Sequence, residues 1–220
     1  MFSHSSRGRL TLYDVGRFTS QSLFDRIART VCEAGCLPRK ELYEAWEVAR
    51  RVRRLFRGGR VVDLACGHGL LAHIMLLLDD SSPSAVAIDQ ALPPSSVALR
   101  ERLIGAWPRL NGRVELIEGA LDAVPLLSTD IVVSSHACGA LTDVVLERAI
   151  AAHARVAVLP CCHDLNTCNV GPLAGWLDGP LAIDAMRAVR LERAGYHVWT
   201  QTIDVKITPK NRLLVASHAP

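Results

Sequence analysis

From residue 60 onward, short runs of mostly apolar residues alternate with longer segments of helical pattern. The runs are residues 60–64, 85–89, 114–118, 131–134 and 155–159. Runs of this length and apolarity are typical of strands buried on both faces of a sheet. Helices are predicted between and after them, near 70–78, 95–104, 140–151 and 181–194. The alternation predicts an α/β fold with a mostly parallel sheet covered on both sides.

Two further strands are predicted at the end of the chain, over 197–207 and 212–217. The turn between them, Thr208 to Asn211, is short. It permits only antiparallel pairing, because a parallel return needs a crossover of about a dozen residues. The sequence therefore predicts a seven-stranded sheet whose last two strands form an antiparallel hairpin.

Two helices are predicted before the first strand, over 20–34 and 39–56, with apolar residues at helical spacing. We divide the chain into a basic helical extension, 1–58, and a sheet domain, 59–220. Residues 1–60 contain 13 Arg or Lys and 6 Asp or Glu, whereas the remaining residues contain 12 and 16. The positive charge is therefore concentrated in the extension.

The densest group of cations is an arginine cluster near the end of the second helix. Guanidinium groups suit bidentate contacts with phosphates, which predicts a nucleic-acid partner. The alternative is a solvated helix end, where cations are favoured by the helix dipole. The residues in question are Arg50, Arg51, Arg53, Arg54 and Arg57.

The seven cysteines argue against extracellular crosslinking, because their number is odd and the chain is long enough to bury a core. No apolar stretch approaches the roughly 20 residues that span a bilayer. We therefore expect a cytoplasmic protein with no membrane contact.

A glycine loop, Asp63-Leu64-Ala65-Cys66-Gly67-His68-Gly69, follows the first predicted strand. Gly67 and Gly69 allow a sharp turn and close approach of a ligand, and Ala65 stands where many such loops carry a first glycine. The loop also satisfies a dinucleotide fingerprint, with Asp89 about 20 residues beyond it. S-adenosylmethionine (SAM) and a nicotinamide cofactor are both compatible with it.

One carboxylate, one segment and the predicted C-terminal hairpin favour SAM over a nicotinamide cofactor. Asp63 can complement the cationic methionine portion of SAM but has no evident partner in a dinucleotide pyrophosphate. Asp89 is placed to bind ribose hydroxyls in either cofactor. The segment after the third strand resembles one that contacts the adenine of SAM. The predicted SAM-binding residues are Asp63, Ala65, Gly67, Gly69, Asp89, Ala120, Leu121, Asp122, Ser134 and Ser135.

Two motifs follow the fourth and fifth strands: His136-Ala137-Cys138-Gly139 with Leu141-Thr142-Asp143, and Pro160-Cys161-Cys162-His163. Ligands of doubly wound sheets bind beyond the carboxyl ends of the strands. Both motifs are therefore expected to face the methyl group of the cofactor.

These motifs resemble the paired signatures of a group of class I SAM-dependent RNA methyltransferases. The group includes the methyltransferase domain of the glutathione S-transferase C-terminal domain-containing protein and, more distantly, tRNA 2′-O-methyltransferases. The resemblance runs from Leu37 to the C-terminus, and Lys40 stands near where a lysine often precedes this domain. It implies a Rossmann-like fold, SAM binding and an RNA substrate. Within residues 1–220 we expect neither the zinc fingers of the tRNA enzymes nor the transferase domain of the other group.

His136 is the first candidate for a general base, with Asp143 to orient it and His163 lining the same pocket. A histidine here can instead cap the following helix or orient a loop. Asp143 can likewise be an ordinary acidic residue of a first helical turn.

Cys138 and Cys161 suggest a second mechanism, because C5 methylation of a pyrimidine requires a cysteine nucleophile. Cysteine also packs as a small apolar residue. A zinc site formed by Cys161, Cys162, His163 and Cys168 is disfavoured, since adjacent cysteines rarely suit one tetrahedral ion, and we expect no metal.

The sequence thus predicts a SAM-dependent methyltransferase that acts on RNA, with a hydroxyl or a base atom as acceptor. Two other classes remain open. One is a non-catalytic module that binds SAM, and the other is a nicotinamide-dependent oxidoreductase.

Overall fold

The computed structural model describes residues 3–218. Its seven strands form one sheet in the order β3-β2-β1-β4-β5-β7-β6. Strands β1 to β5 are parallel, and β7 and β6 follow in antiparallel pairing, which confirms the predicted fold class. The strands are β1 (Val61–Leu64), β2 (Ala85–Asp89), β3 (Val114–Glu118), β4 (Ile131–Ser134), β5 (Arg155–Val158), β6 (Tyr196–Thr202) and β7 (Arg212–His218).

This part of the chain contains six α-helices. The helix ends predicted from the sequence agree with the observed ends within about three residues. Ser22 shortens the first helix, because its hydroxyl accepts a hydrogen bond from the Asp25 amide and so caps the helix there. Asp178 caps the last helix in the same way. The helices are α1 (Leu23–Ala34), α2 (Arg39–Leu55), α3 (Leu70–Leu78), α4 (Ser95–Ala106), α5 (Leu141–Ala151) and α6 (Gly179–Arg193). None has the length and apolarity needed to cross a membrane, as far as residues 3–218 are concerned.

The predicted end of β6 is wrong. The strand stops at Thr202 rather than at residue 207, and the connection to β7 is longer than four residues. Asp204 causes the break, since its carboxylate accepts a hydrogen bond from the Lys206 amide and its carbonyl accepts one from the Ile207 amide. These local bonds compete with the strand ladder and produce a turn.

Successive strand residues point to opposite faces, so the sheet has a core on each side. Val62, Val132 and Val156 pack against α5 and α6 on one side. On the other side, α3 and α4 share a core with helices α1 and α2, whose Ile27 and Val48 are fully buried. The basic extension therefore contributes to the main core of the fold.

The direction in which strands are added reverses between β1 and β4. In doubly wound sheets the crevice at such a switch point, outside the carboxyl ends of the strands, is where ligands bind. In this chain the crevice lies between the loop after β1 and the loop after β4. We call the end of the sheet at which these loops lie the carboxyl edge.

The last residue of the arginine cluster lies at the opposite end of the sheet. Arg57 precedes β1 and donates a hydrogen bond to the carbonyl of Leu78, at the end of α3. Arg50 and Arg51 pair with Glu47 on their own helix. Arg51 also donates a hydrogen bond to Gln201, near the carboxyl end of β6, so only the end of the cluster at Arg57 is distant from the crevice.

Arg53 is not a surface residue, and its predicted contact with RNA is wrong. Its side chain is 2% exposed and pairs with Asp79 at 3.2 Å. It also donates hydrogen bonds to the Met75 carbonyl and to the Ser82 hydroxyl, at 3.0 and 2.7 Å. The cause is the rotation of α2, which turns this position towards α3.

We predict that Arg53→Ala lowers the free energy of unfolding by about 3 kcal/mol, because the buried Asp79 carboxylate loses its cationic partner. Arg54→Ala is the matched control on the exposed side of the same turn, with an expected change within about 0.5 kcal/mol. Urea denaturation followed by circular dichroism measures both. Equal effects of the two substitutions would contradict the burial of Arg53.

Candidate active site

The loop after β1 turns sharply at the carboxyl edge. Ala65, Gly67 and Gly69 all have positive φ angles, of 57°, 57° and 73°. A Cβ atom on Gly69 would lie 2.8 Å from a methyl carbon of Leu116, so this position requires glycine. Ala65 adopts a left-handed conformation that is unfavourable for a residue with a side chain. The loop is therefore held by its surroundings in one constrained path.

Asp89, at the end of β2, fixes this loop. One of its carboxylate oxygens accepts a hydrogen bond from the Gly67 amide at 2.8 Å, and the other accepts one from the Ala91 amide. The carboxylate thus lies beside the glycine loop, as the sequence suggests. Its contact with a ribose stays a prediction.

Asp63, at the end of β1, is 1% exposed, and both of its carboxylate oxygens are buried without a hydrogen-bond partner. Burial raises the pKa of Asp63 to about 8, and the neighbouring Asp89 carboxylate adds to the shift. A cation bound next to this carboxylate would favour its ionised form. The cationic methionine portion of SAM fits this requirement.

The other residues predicted to bind the cofactor lie on the same edge. Gly119 donates its amide hydrogen to the Asp89 carbonyl at 2.9 Å, which places the segment after β3 beside the end of β2. In that segment Leu121 is buried, whereas Ala120 and Asp122 are exposed. Ser134 and Ser135 are buried at the end of β4. Their contacts with the cofactor stay predictions.

His136 lies against the glycine loop. A Cβ atom on Gly67 would be 3.6 Å from the Cδ2 atom of the His136 ring. Burial lowers the pKa of His136 to about 4, and the positive charge of Lys40 contributes in the same direction. The imidazole is therefore neutral at pH 7 and able to accept a proton.

Three cysteines form a thiol cluster beyond β4 and β5: Cys138, Cys161 and Cys162. The Sγ atoms of Cys138 and Cys161 are 2.8 Å apart, and those of Cys161 and Cys162 are 3.8 Å apart. Burial raises the pKa of the Cys161 thiol, and the neighbouring cysteines raise it further. Only the thiolate is a strong nucleophile, so this environment disfavours Cys161 as an attacking group.

Asp143 does not orient His136, which corrects the expectation from sequence. Its two carboxylate oxygens accept hydrogen bonds from the Nε and Nη2 atoms of Arg187, at 3.0 and 2.8 Å. Because both oxygens are used in this bidentate pair, Asp143 positions Arg187 instead.

His163 does not line an open pocket either. Its side chain is 1% exposed, and its Nε2 atom lies 2.8 Å from an oxygen of Asp184. Arg212 binds the other oxygen of Asp184 at 2.7 Å. His163 therefore belongs to a buried ionic network and holds the segment after β5 against α6.

The sequence analysis missed Arg187, whose side chain is 2% exposed. Besides Asp143, it binds Asp184 at 3.2 Å and donates a hydrogen bond to the Gly139 carbonyl at 2.8 Å. It thus joins the loop after β4 to the segment after β5. The sequence does contain one indication that Arg187 is buried. It lies in α6 four residues after Ile183 and four before Leu191, so it occupies the apolar face of the helix.

The start of α2 also lies at the carboxyl edge, which sequence analysis did not predict. Lys40 pairs with Glu44 at 3.0 Å, and its charge lowers the pKa of His136. The charge of Arg9 likewise contributes to lowering the pKa of His68, although burial of His68 is the larger cause. The extension therefore brings cations close to the crevice.

A pocket of about 550 Å³ opens beside the thiol cluster, between α6 and the strands β7 and β6. Pro160, next to Cys161, forms part of its wall. Most of its lining is apolar, and Asp184 and Arg212 provide the charged groups. It is large enough to hold part of a substrate.

Comparison with known proteins agrees with this geometry. A family model described as a methyltransferase domain matches residues 40–168, more than half of the chain. The mitochondrial ubiquinone biosynthesis O-methyltransferase of Schizosaccharomyces pombe is 32% identical over 84 residues, which make up 38% of this chain and 29% of that protein. The chain thus spans less than a third of the length of this curated relative.

Solved structures show the same fold. An O-methyltransferase family protein from Burkholderia thailandensis superposes with a TM-score of 0.56 and 18% identity, over 96% of this chain and 63% of that one. A candidate RNA methyltransferase from Pyrococcus horikoshii gives a TM-score of 0.52 and 17% identity, over 81% of this chain and 86% of that one. The match over residues 40–168 shows that the chain belongs to the methyltransferase-domain family, and its cofactor is SAM.

Proposed function

We propose that this protein transfers the methyl group of SAM to RNA, at a hydroxyl or a base atom. The observation that carries the proposal is the position of a neutral, half-buried imidazole, that of His136, beside the glycine loop at Gly67. This position puts a proton acceptor next to the loop proposed to bind the cofactor. The cations of the basic extension lie at the same edge of the sheet.

The residues at the carboxyl edge have distinct roles towards SAM. Asp63 faces the cationic methionine portion, Asp89 binds the ribose, and the segment 120–122 contacts the adenine. The positive φ angles of Gly67 and Gly69 keep the backbone close to the ligand. SAM supplies an already activated methyl group, so the protein has mainly to align the acceptor.

His136 receives the proton of the acceptor. A base with a pKa of about 4 is weak. It therefore assists most when the acceptor becomes acidic, which happens as the bond between the acceptor atom and the methyl group forms. Much of the rate enhancement then comes from alignment of the acceptor against the sulfonium group.

The case for RNA rests on charge and on exposed aromatic rings. Arg7 and Arg9 are exposed in the segment whose backbone binds the start of α2: Ser6 and Gly8 accept hydrogen bonds from the amides of Lys40 and Arg39. Cations at this position can contact phosphates of a strand that enters the crevice.

Two aromatic side chains are available to unpaired bases. Tyr13 is 97% exposed in the extension, and Trp176 is 86% exposed in the segment after β5. Exposed aromatic rings are stacking platforms for bases of single-stranded nucleic acid. The proposed substrate is therefore an RNA with an unpaired target region.

One observation favours a different acceptor. The pocket of about 550 Å³ next to Pro160 is mainly apolar, and it is large enough for an aromatic small molecule. The second candidate function is therefore O-methylation of a small phenolic or enolic compound. Assays with radiolabelled SAM against total RNA and against a set of simple phenols distinguish the two candidates.

The first functional prediction concerns Asp63. In the SAM-free protein its pKa is about 8, so binding of the sulfonium cation below that pH releases a proton. SAM affinity should therefore rise between pH 5.5 and 7, by up to about tenfold per pH unit. Asp63→Asn should bind SAM more weakly at pH 7 and without this pH dependence.

Calorimetry across that pH range measures the effect, with Glu115→Gln as control. Glu115 is an exposed carboxylate on β3, and its removal should leave the profile unchanged. A pH-independent affinity of the parent protein would contradict a cation next to Asp63.

We predict that His136→Ala lowers kcat by about 10² to 10⁴-fold, while SAM affinity changes little. The neutral form is the active one, so His136 should add no pH dependence between pH 6 and 8. His197→Ala, at an exposed position of β6, is the control and should turn over normally. Normal turnover of His136→Ala, or a stable covalent adduct of the parent with 5-fluoropyrimidine RNA, would refute His136 as the base.

RNA binding is tested with two double variants of equal charge change. Arg7→Gln with Arg9→Gln should weaken RNA binding and reduce the salt slope by nearly two ions, because each lost phosphate contact removes about one released counterion. Arg54→Gln with Arg57→Gln, at the opposite end of the sheet, should have a smaller effect. Filter binding at several salt concentrations measures the RNA affinity and salt slope of both double variants. A larger loss for Arg54→Gln with Arg57→Gln would indicate that the arginine cluster is the RNA contact.

A further inference from the structure

The thiol cluster is produced by the pairing of two parallel strands. β4 and β5 are hydrogen-bonded neighbours with Ser134 opposite Val158, so their carboxyl ends stop at the same level. Cys138 lies in the loop after β4, and Cys161 and Cys162 lie in the segment after β5. All three Sγ atoms fall within 4.8 Å of one another.

The spacing of the sulfur atoms suits a tetrahedral ion. A Zn–S distance of about 2.3 Å places two thiolate ligands about 3.8 Å apart. Cys161 and Cys162 already have this separation, at 3.8 Å, although they are adjacent in sequence. The 2.8 Å between Cys138 and Cys161 has to open by about 1 Å, which the exposed Cys138 side chain permits.

We propose that Cys138, Cys161 and Cys162 bind one Zn²⁺ ion through three thiolates, with the fourth position open to solvent or to a ligand. Each thiol gives its proton to the solvent as its Zn–S bond forms, so the bound site carries one net negative charge. This site was not predicted from the sequence, where adjacency of the two cysteines argued against it.

The two other residues considered from the sequence do not complete this set. Neither ring nitrogen of His163 lies within 4.8 Å of all three sulfur atoms. Cys168 is buried against Arg187, whose Nη2 atom is 3.7 Å from its sulfur. An open fourth position distinguishes the proposed site from the closed four-ligand sites typical of structural zinc.

The segments that carry the thiols are held in place without a metal. Arg187 binds the Gly139 carbonyl, and the Thr142 hydroxyl donates a hydrogen bond to the Ala137 carbonyl at 2.6 Å. After the two adjacent cysteines, Asp164 accepts hydrogen bonds from the Asn166 amide and the Thr167 hydroxyl. A site preformed in this way loses little conformational entropy when the ion binds.

The test uses the full chain, reduced and stripped of metal with a chelator. Titration with Co²⁺ should produce a thiolate charge-transfer band and the visible bands of tetrahedral cobalt, saturating at one ion per chain. Zn²⁺ should then displace the cobalt. Cys138→Ser, Cys161→Ser and Cys162→Ser should each weaken binding by at least about a hundredfold.

Cys168→Ser is the matched control and should bind as tightly as the parent. Thermal unfolding of every variant shows that each is folded, and the exposed Cys162 gives the variant least affected in packing. Lack of a thiolate band in the reduced parent overturns the proposal. It is also overturned if Cys168→Ser loses binding as the cluster variants do, or if mass spectrometry finds a Cys138–Cys161 disulfide and the reduced protein takes up no metal.

Discussion

The parallel pairing of β1 with β4, and of β4 with β5, is the constraint on which the site depends. Each of these strands is only four residues long, and each ends at nearly the same level as its neighbour. The loops that follow are therefore forced together, although the ends of β1 and β5, at Leu64 and Val158, are 94 residues apart in sequence. The contact between His136 and the glycine loop, and the clustering of three thiols, are direct results of this register.

The electrostatics of the site follow from burial. Asp63, on β1, and His136, in the loop after the neighbouring β4, are both mostly uncharged at pH 7 in the absence of a ligand, because removal from water raises the pKa of an acid and lowers that of a base. Asp63 thus gains its negative charge when a cation enters the crevice. SAM suits such a site, because it loses its sulfonium charge when the methyl group is transferred. The Asp63 carboxylate therefore binds SAM more tightly than the demethylated product.

The parts of the structure that follow from local pattern were predictable. Apolar runs marked the five parallel strands, and the glycine loop marked the edge where the site lies. Long-range side-chain contacts were not predictable in the same way. Arg53 and Arg187 are charged residues on helices, yet both are buried because a carboxylate from another element, Asp79 or Asp143, compensates their charge. Asp143 was misread for the same reason, since its true partner is 44 residues away.

The extension is joined to the sheet domain by its helices and is held together by its N-terminal segment. Helices α1 and α2 bury their apolar faces in the same core as α3 and α4, and the segment before them pairs with the start of α2 through Leu10 and Leu37. In the proposed function this extension also presents the cations and the aromatic ring that meet the substrate. Recognition and folding are then properties of the same sixty residues. Such a protein can acquire a new substrate by changes at exposed positions such as Arg7, Arg9 and Tyr13, but not by exchange of the extension as a unit, because the domain would lose part of its core.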